Sequence, residues 1–338
     1  MKSRRLGKSA IYVSDICMGT MTFGTGADEA MSFRILDQSL DAGINFFDTA
    51  ENYPVPPKEE YAGVTEEIVG RWLKTKNRDA VILATKVCGP SHGWFKGSQR
   101  AGMTALDRHN IVRAVEASLK RLGTDYIDLY QTHWPDHGAR YEEALRALDD
   151  LVQDGKVRVT GCSNETAWGL MKSLAVSDAN GLARYDTIQN NFSLNNRRFE
   201  DDLAQVCRQE GVSLIPYSPL AGGVLTGKYQ DGARPEGARF SNYLKLGGRQ
   251  EAMARRFVND KSLTSVERFT AIAEEAGMSV TTLAVAWSKQ HDFVASTIVG
   301  ATHTDQLAEI FAAADVILSP ETMKAITAVT KEIMYPMG

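Results

Sequence analysis

The sequence has little of what membrane-spanning, nucleic-acid-binding and metal-centred proteins need. It has no apolar run of the roughly 18 residues that a membrane helix requires. Its 38 lysines and arginines are outnumbered by 42 aspartates and glutamates, whereas nucleic acids and anionic membranes select a basic face. Its 4 cysteines show no CxxC or other metal-ligand spacing. We therefore expect no membrane, nucleic-acid or metal partner.

We also expect no secretory leader. Residues 1–5 carry positive charge, but no apolar stretch of signal length follows them. Cys17, Cys88 and Cys162 fall in or beside strand-like runs, where small buried thiols of a reducing compartment are common. With 43% hydrophobic and 24% charged residues, the composition is that of an ordinary globular enzyme. These features predict a cytoplasmic protein.

What the sequence does have is a repeated alternation of apolar runs and helical patterns. The apolar runs that are strand candidates lie at residues 15–18, 45–49, 80–87, 126–134, 157–163, 187–191, 212–218 and 295–300. The helical patterns lie at residues 31–42, 65–75, 107–122, 142–153, 165–175, 199–209, 264–276 and 281–290. The third of these has Asp107 as a candidate N-cap and Gly123 as its expected end. Strands that alternate with helices indicate a parallel sheet.

Two features favour a closed barrel over a doubly wound sheet. The spacing of the strand candidates is roughly forty residues, and no Gly-x-Gly-x-x-Gly fingerprint follows the first of them. The expected fold is α/β, a (β/α)8 barrel formed by residues 1–338 as a single domain. Residues 1–14 are expected to form a hairpin across the barrel floor. Residues 304–314 and 320–333 are expected to be helices on the outside.

Three connections are too long for simple turns, at residues 52–63, 88–106 and 219–262. Each follows the carboxyl end of a strand candidate, so all three would cover one mouth of the barrel. Lids and specificity walls usually lie there. Three aromatic side chains in or near these loops are candidates for a substrate wall: Trp94, Phe95 and Trp134.

Polar residues stand at or just after the ends of three apolar runs. Asp48, Lys86 and His133 each close a run, and Tyr53 follows Asp48 by five positions. Because the carboxyl ends of barrel strands meet at one mouth, we expect these side chains to converge. A carboxylate, a phenol, an ammonium and an imidazole in one place predict a proton-transfer site.

The chemistry of these four residues indicates separate roles. A buried lysine needs an anion, and Asp48 is the expected partner of Lys86. A cation beside Tyr53 lowers the pKa of the phenol from its usual value of about 10 and makes it a better acid. His133 is expected to orient a substrate oxygen through a hydrogen bond. The matching hydride must come from a cofactor.

Six segments resemble the motifs of the aldo-keto reductase family, and they occur in the family's order. They are residues 43–53 (Gly-Ile-Asn-Phe-Phe-Asp-Thr-Ala-x-x-Tyr), 84–87 (Ala-Thr-Lys-Val), 125–133 (Asp-Tyr-Ile-Asp-Leu-Tyr-Gln-x-His), 161–164 (Gly-Cys-Ser-Asn), 189–190 (Gln-Asn) and 216–229 (Pro-Tyr-Ser-Pro-Leu-Ala-Gly-Gly-Val-Leu-Thr-Gly-Lys-Tyr). The resemblance extends from Gly19 to Glu309. Residues 53–57, Tyr-Pro-Val-Pro-Pro, more narrowly resemble the bacterial Tas-type branch.

The resemblance implies a (β/α)8 barrel and a nicotinamide cofactor bound in an extended form without a Rossmann fold. Asp48, Tyr53, Lys86 and His133 match the family's catalytic tetrad. The residues that match its cofactor contacts are, in chain order, Gly19, Thr20, Met21, Asp48, Ser163, Asn164, Gln189, Tyr217, Ser218, Leu220, Gly222, Lys228, Gly300, Thr302, His303, Gln306, Glu309 and Ile310.

The same resemblance implies how these contacts divide along the cofactor. Ser163, Asn164 and Gln189 are expected to hold the carboxamide, and Tyr217 is expected to stack on the nicotinamide ring. Either Ser163 or Asn164 is also a candidate cap for the following helix. The residues expected near the pyrophosphate, where small side chains allow a close backbone approach, are Ser218, Leu220, Gly222 and Lys228.

The chain departs from the family near the expected position of the 2′-phosphate. Many relatives have an arginine in this stretch, whereas this sequence has His303 and Gln306, and Ile310 stands where an asparagine is frequent. A 2′-phosphate without arginine loses its best bidentate partner. We expect NADPH as the cofactor, with NADH as the alternative.

The sequence thus predicts a reductase that converts a small-molecule aldehyde or ketone to an alcohol, with Tyr53 as the general acid. Two alternatives stay open. One is a cofactor-reporting module with slow turnover, like the barrel subunits attached to some potassium channels. The other is a Schiff-base lyase, since strand-end lysines such as Lys86 can form imines with carbonyl substrates. The sequence makes no prediction of the particular carbonyl or of the oligomeric state.

Overall fold

A small hairpin and a larger parallel sheet contain the strands of the computed structural model, which describes residues 1–90 and 99–337. The strands in these two ranges are β1 (Ser3–Arg5), β2 (Tyr12–Ser14), β3 (Ile16–Gly19), β4 (Phe46–Asp48), β5 (Ile82–Val87), β6 (Ile127–Thr132), β7 (Val157–Ser163), β8 (Tyr185–Gln189), β9 (Ser213–Leu214) and β10 (Thr297–Gly300). The hairpin pairs β1 with β2 in antiparallel register.

The larger sheet closes into a barrel. Its order is β10-β3-β4-β5-β6-β7-β8-β9, and every neighbouring pair is parallel. The two edges meet through backbone hydrogen bonds from Leu214 N to Phe293 O at 2.8 Å, from Ala295 N to Leu214 O at 2.9 Å, and from Ile298 N to Pro216 O at 2.9 Å. The (β/α)8 barrel predicted from the strand–helix alternation is therefore confirmed.

Helices surround the barrel and fill most of the connections. In the described part of the chain they are α1 (Glu29–Asp41), α2 (Val64–Leu73), α3 (Arg108–Leu122), α4 (Tyr141–Gln153), α5 (Ala167–Asn180), α6 (Leu203–Glu210), α7 (Arg239–Leu246), α8 (Gly248–Phe257), α9 (Asp260–Glu275), α10 (Val280–Lys289), α11 (Leu307–Ala312) and α12 (Pro320–Glu332). None of these helices is both long and apolar enough to cross a membrane.

Helix α3 begins and ends at the two residues that the sequence marks as its boundaries. Its first turn is capped by the Asp107 carboxylate, which accepts a hydrogen bond from Asn110 N at 2.7 Å. Gly123 ends the helix with a φ of 64°, a left-handed conformation that costs glycine little. Both ends of this helix are where the sequence predicts them.

The N-terminal hairpin closes the barrel floor, as the sequence predicts. Its apolar side chains Leu6, Ile11 and Val13 are buried against residues that point into the barrel, among them Phe46 and Leu129. The hairpin turn lies so close to the start of β8 that a Cβ on Gly7 would be 2.3 Å from Asp186 O. A second, larger apolar core lies between the strands and the helices.

Two sequence expectations about elements need correction. The strand expected at 212–218 is only β9, because Pro216 has no N–H for a ladder and Ser218 turns the chain with a φ of 56°. Helix α5 is capped by the Thr166 hydroxyl rather than by Ser163 or Asn164. The long connection at 219–262 contains α7 and α8, two helices for which no helical pattern was assigned from the sequence.

Candidate active site

The barrel brings the four predicted polar residues together at its mouth. Asp48 is the last residue of β4, Lys86 lies near the end of β5, and His133 follows β6 directly. Parallel pairing aligns Asp48 with Ala84, so Lys86 lies two residues nearer the mouth on the adjacent strand. The turn that follows β4 places Tyr53 over the same opening. All four side chains are buried, with Tyr53 and His133 each 8% exposed.

Lys86 is the centre of this cluster. Its ammonium donates to Asp48 Oδ1 at 2.6 Å and to Thr49 O at 2.7 Å, and it lies 3.5 Å from the Tyr53 hydroxyl oxygen. The side chain of Lys86 is fully buried. Burial lowers the pKa of Lys86, but Asp48 and Tyr53 raise it by more, so the pKa lies above its ordinary value. Lys86 is therefore a fixed cation.

Two glutamines hold the other oxygen of Asp48. Gln131 Nε2 donates to Asp48 Oδ2 at 3.2 Å, and Gln189 Nε2 donates to the same atom at 2.9 Å. The two amides also bond to each other, from Gln189 Nε2 to Gln131 Oε1 at 3.2 Å. A buried carboxylate is thereby satisfied on both oxygens. Gln131 was not predicted from the sequence to have a role, although it lies on β6 two positions before His133.

The protonation of Tyr53 depends on two opposing effects. Burial raises the pKa of the phenol, and the neighbouring Lys86 lowers it. The cation acts in the predicted direction, but burial outweighs it, so the pKa of Tyr53 lies above its ordinary value. Tyr53 is therefore protonated at neutral pH.

His133 is a neutral imidazole beside the phenol. Burial lowers its pKa well below the ordinary value, and the charge on Lys86 acts in the same direction. Its ring lies edge-on to Tyr53, with 5.7 Å between the centroids, and stacks on Trp134 at 6.0 Å. Its Nδ1 is buried and has no hydrogen-bond partner among the described residues. Such a nitrogen is available to a bound molecule.

A second group of polar side chains lies beside the first. Ser163 Oγ donates to Gln189 O at 2.7 Å, and Tyr217 OH donates to Asn164 Oδ1 at 2.7 Å. Asn164 Nδ2 donates to His133 O at 2.9 Å, which ties this group to the quartet. Asn164 has a φ of 58°, a left-handed conformation that asparagine tolerates better than most residues. These four predicted nicotinamide contacts are adjacent in the structure.

The chain after β9 makes a run of left-handed turns around a basic side chain. Ser218, Ala221, Gly222 and Gly223 all have positive φ, between 48° and 96°. A Cβ on Gly223 would be 2.9 Å from the Nζ of Lys228. Ala221 N and Gly223 N bond within these turns, to Ser218 O and Leu220 O at 2.8 Å each, and the two glycines leave room for a close approach to the backbone.

The charge at this loop has the sign that an anion needs. Burial lowers the pKa of Lys228, and the charge of Arg239 lowers it further. No carboxylate in residues 1–90 or 99–337 forms a salt bridge with Lys228. Arg239 lies on α7, within the long connection at 219–262, and was not among the residues predicted for the site. Leu220 directly precedes the short helical turn at Ala221–Thr226.

The residues expected at the adenosine end lie around the carboxyl end of β10. The Gln306 side chain accepts from Thr302 N at 2.8 Å, and His303 Nδ1 is 3.0 Å from Asp305 Oδ2. Both Gly300 and Glu309 are exposed. Ile310 is buried in the large core, 1% exposed, so its side chain has almost no surface to offer a ligand. This end of the site is more open than the quartet.

The remaining predicted contacts have mixed outcomes. Gly19 ends β3 beside Asp48 and Gly300. Thr20 is buried and donates to Asp48 O at 3.0 Å through its hydroxyl, whereas Met21 is partly exposed. Of the predicted substrate wall, Trp134 is half-buried beside His133. The other two wall residues, Trp94 and Phe95, lie outside the described residues.

A barrel mouth with a buried Asp–Lys pair, a protonated tyrosine and a neutral imidazole defines a barrel enzyme equipped to transfer a proton to a bound oxygen. The chain belongs to the aldo/keto reductase family, whose model matches residues 15–331. It is therefore an oxidoreductase, and this family generally uses NAD(P)H.

Three relatives are similar to this chain along nearly its whole length. Protein tas of Escherichia coli (strain K12) is 41% identical over 99% of this chain and 99% of its own. Uncharacterized oxidoreductase YrpG of Bacillus subtilis (strain 168) is 33% identical over 96% of this chain and 95% of its own. Probable voltage-gated potassium channel subunit beta of Oryza sativa subsp. japonica is 34% identical, over 98% and 97% respectively. The similarity therefore concerns the entire barrel.

Proposed function

We propose that the protein reduces an aldehyde or ketone to an alcohol with NADPH, and that NADH is the alternative cofactor. The observation that carries the proposal is the position of Lys86 Nζ, 2.6 Å from Asp48 Oδ1 and 3.5 Å from the Tyr53 hydroxyl in a buried site. The cofactor, when bound, supplies the hydride for the carbonyl carbon. The chain itself must provide a proton for the carbonyl oxygen and hold that oxygen in place.

Tyr53 is the proposed proton donor. Because its pKa is raised, the phenol keeps its proton at neutral pH until the substrate oxygen takes it. Once the proton has left, the phenolate lies beside the Lys86 ammonium, which stabilises the new negative charge in a site with little water. Asp48 keeps Lys86 at that position, and Gln131 and Gln189 keep Asp48 in place.

His133 is the proposed orienter of the carbonyl oxygen. A neutral imidazole can donate one hydrogen bond to the oxygen without adding a charge that would compete with Lys86. Its pKa, held well below the ordinary value, keeps the ring neutral at neutral pH. Its Nδ1, which lacks a partner among the described residues, is consistent with a ligand contact. Trp134 stacks on this ring and is the proposed apolar wall beside the substrate.

The residues present fit a nicotinamide cofactor. Ser163, Asn164 and Gln189 would hold its carboxamide, and the Tyr217 ring would pack on the nicotinamide. The left-handed turns at 218–223 and the cation of Lys228 suit a pyrophosphate. The residues proposed for the adenosine end are Gly300, Thr302, His303, Gln306 and Glu309.

Two alternatives can be weighed against the geometry. A Schiff-base lyase needs a neutral amine, whereas Lys86 has a raised pKa and is surrounded by three oxygen atoms. The geometry therefore disfavours the lyase. A cofactor-reporting module is favoured by one observation, the 34% identity with a protein named as a probable potassium channel β-subunit. We retain it as the second candidate.

One screen separates the candidates. NADPH oxidation is measured against a panel of aldehydes, ketones and pyridoxal, and NADPH binding is measured in parallel by fluorescence titration. We expect saturable turnover on at least one carbonyl, with alcohol formed in equal amount. Tight NADPH binding with negligible turnover on the whole panel, together with a stable protein partner, would favour the cofactor-reporting module. Absence of NADPH and NADH binding would contradict both.

A further inference from the structure

Glu51 is a buried acid that the proposed mechanism does not use. It lies in the turn between Asp48 and Tyr53, and its side chain is 1% exposed. The turn is closed by a hydrogen bond from Tyr53 N to Ala50 O at 3.1 Å. Burying a carboxylate is costly unless strong partners satisfy it. The position of Glu51 therefore requires an explanation.

The partners of Glu51 come from both sides of the connection after β5. Arg100 donates to both carboxylate oxygens, from Nη1 to Oε2 at 2.7 Å and from Nη2 to Oε1 at 2.9 Å. Cys88 N donates to Oε1 at 2.6 Å, and Gln99 Nε2 donates to Glu51 O at 2.5 Å. A two-pronged arginine–carboxylate contact fixes orientation as well as distance. Glu51 is thus held by its side chain and by its main chain.

The turn at 50–53 links this contact to Tyr53 through the backbone. Tyr53 is two residues from Glu51 in the same short turn, and the Tyr53 hydroxyl is at the limit of hydrogen-bond distance from Lys86 Nζ, 3.5 Å. Among the described residues, the main-chain contacts of the turn with β5 include Glu51 N to Lys86 O at 3.3 Å, a long hydrogen bond. Shifts of about 1 Å in a reacting group can cost about a hundredfold in rate.

We infer that Arg100 and Glu51 are a positioning pair, which fixes the turn at 50–53 so that the Tyr53 hydroxyl stays beside Lys86. The expected loss of turnover rests on the proposed function, whereas the expected placement of Tyr53 by this pair does not. Neither side chain contacts the reacting atoms. Their contribution is to the placement of the proton donor.

The chain contains a matched control for this pair. Glu66 is also fully buried, and its carboxylate accepts from Arg121 Nε at 2.7 Å and from the Thr85 hydroxyl at 2.6 Å. This second Glu–Arg pair therefore has similar burial and chemistry, but its carboxylate does not bond to residues 50–53. The segment that carries Glu66 contacts Tyr53 through a hydrogen bond from Thr65 N to Tyr53 O at 3.5 Å. Because this bond is at the limit of hydrogen-bond distance, the loss of the Glu66–Arg121 pair should affect stability without moving Tyr53.

The test compares Arg100→Gln with Arg121→Gln in the full chain. In the ligand-free protein, NMR of tyrosine labelled at Cζ follows the Tyr53 resonance, which a Tyr53→Phe variant assigns. In the same proteins, kcat, the NADPH Kd and the ratio of kcat in H2O and D2O are measured. For Arg100→Gln we expect a displaced Tyr53 resonance, kcat lower by at least about tenfold, a larger solvent isotope effect and an NADPH Kd within about twofold of the parent. For Arg121→Gln we expect a lower unfolding midpoint and none of the other changes.

Each other outcome is also decisive. An unmoved Tyr53 resonance and a parental kcat in Arg100→Gln would overturn the inference, as would equal changes in the two variants. If Arg100→Gln does not fold, Arg100→Lys keeps the charge but not the two-pronged contact, and a parental Tyr53 resonance in that variant would also overturn it. If the parent has no turnover on any carbonyl, the proposed function fails, and the Tyr53 resonance alone decides whether the pair positions the tyrosine.

Discussion

Two buried aspartate–lysine pairs lie at opposite ends of this barrel. At the mouth, Lys86 Nζ bonds to Asp48 at 2.6 Å, and at the floor, Lys289 Nζ bonds to Asp15 at 3.0 Å. Both pairs are almost completely inaccessible. Their neighbours differ: Lys289 donates its other hydrogen bond to Ala314 O, whereas Lys86 faces the hydroxyl of Tyr53.

The difference shows that a buried ion pair is not by itself a site. At the floor, Asp15 Oδ1 also accepts from Lys2 N at 3.2 Å, so the pair joins the N-terminal segment, β3 and α10. That is a structural role. At the mouth, the same two residue types lie beside groups that can gain or lose a proton, Tyr53 and the neutral His133. The proposed chemistry at the mouth depends on these neighbours, and replacing them should make the two pairs equivalent.

The largest expected effect comes from removing the hydroxyl at the mouth. Tyr53→Phe takes away the proposed proton donor, and general acid catalysis typically contributes about 10²–10⁴-fold to a rate. We expect kcat to fall by that factor, whereas the NADPH Kd, measured by fluorescence titration, stays close to the parental value. Near-parental carbonyl reduction by Tyr53→Phe would refute the proposed mechanism.

The next effect compares the two lysines directly. Lys289→Met and Lys86→Met each leave a buried aspartate without its cation, which costs about 3–5 kcal/mol of stability. Urea unfolding should therefore show a substantial loss in both. Only Lys86→Met should also lose turnover per folded molecule, because Lys289 touches no reacting group. Equal losses of turnover in the two variants would remove the functional distinction between the mouth and the floor.

A smaller effect concerns pH. The pKa of His133 is lower in the folded chain than in the unfolded chain, where it is about 6.5. The unfolded chain therefore takes up this proton first as the pH falls. Stability from this group is complete above the unfolded pKa and is lost below it, at up to about 1.4 kcal/mol per pH unit.

Unfolding experiments from pH 7 down to pH 5 check this expectation. His133→Gln keeps a neutral polar side chain that does not titrate, so it should lose less stability over this range than the parent. His291, whose pKa burial also lowers, is present in both proteins, so its contribution cancels in the comparison. Identical slopes for the two proteins would show that His133 is not buried as a neutral group.

The smallest expected effect lies away from both pairs, at the adenosine end. His303 is half-exposed, and its Nδ1 lies 3.0 Å from Asp305 Oδ2. His303→Arg would supply a permanent cation with two donors. Exposed ion pairs contribute up to about 1 kcal/mol, so NADPH should bind roughly fivefold tighter while NADH binding stays unchanged. Equal gains for the two cofactors would remove His303 from the proposed phosphate contacts.

Much of the arrangement of residues at the mouth could be predicted from the sequence, and little of the arrangement at the floor. Asp48, Lys86 and His133 each end an apolar run, and parallel strands bring their carboxyl ends together, so the cluster follows from the strand assignment. The pairing of Asp48 with Lys86 could be predicted because one anion and one cation lay on nearby strands. The position of Tyr53 depended on a turn that the sequence left open.

The floor pair and the Glu51–Arg100 contact could not be predicted in the same way. Asp15 and Lys289 are 274 positions apart, and they meet because α10 precedes β10, which pairs with β3. Arg100 meets Glu51 because residues 99–100 lie against the turn that holds Glu51. Neither contact has a sequence period or motif that would indicate it.

The sequence by itself determined the strand–helix alternation, the helix ends at Asp107 and Gly123, and the set of polar residues at the strand ends. These are local properties, because they follow from hydrophobic periodicity and from the conformations that single residues prefer. The tertiary structure alone decided which charges are paired, how Gln131 and Gln189 share Asp48, and that burial outweighs Lys86 in the pKa of Tyr53. These properties depend on distances between groups and on the exclusion of water, which only the closed barrel sets.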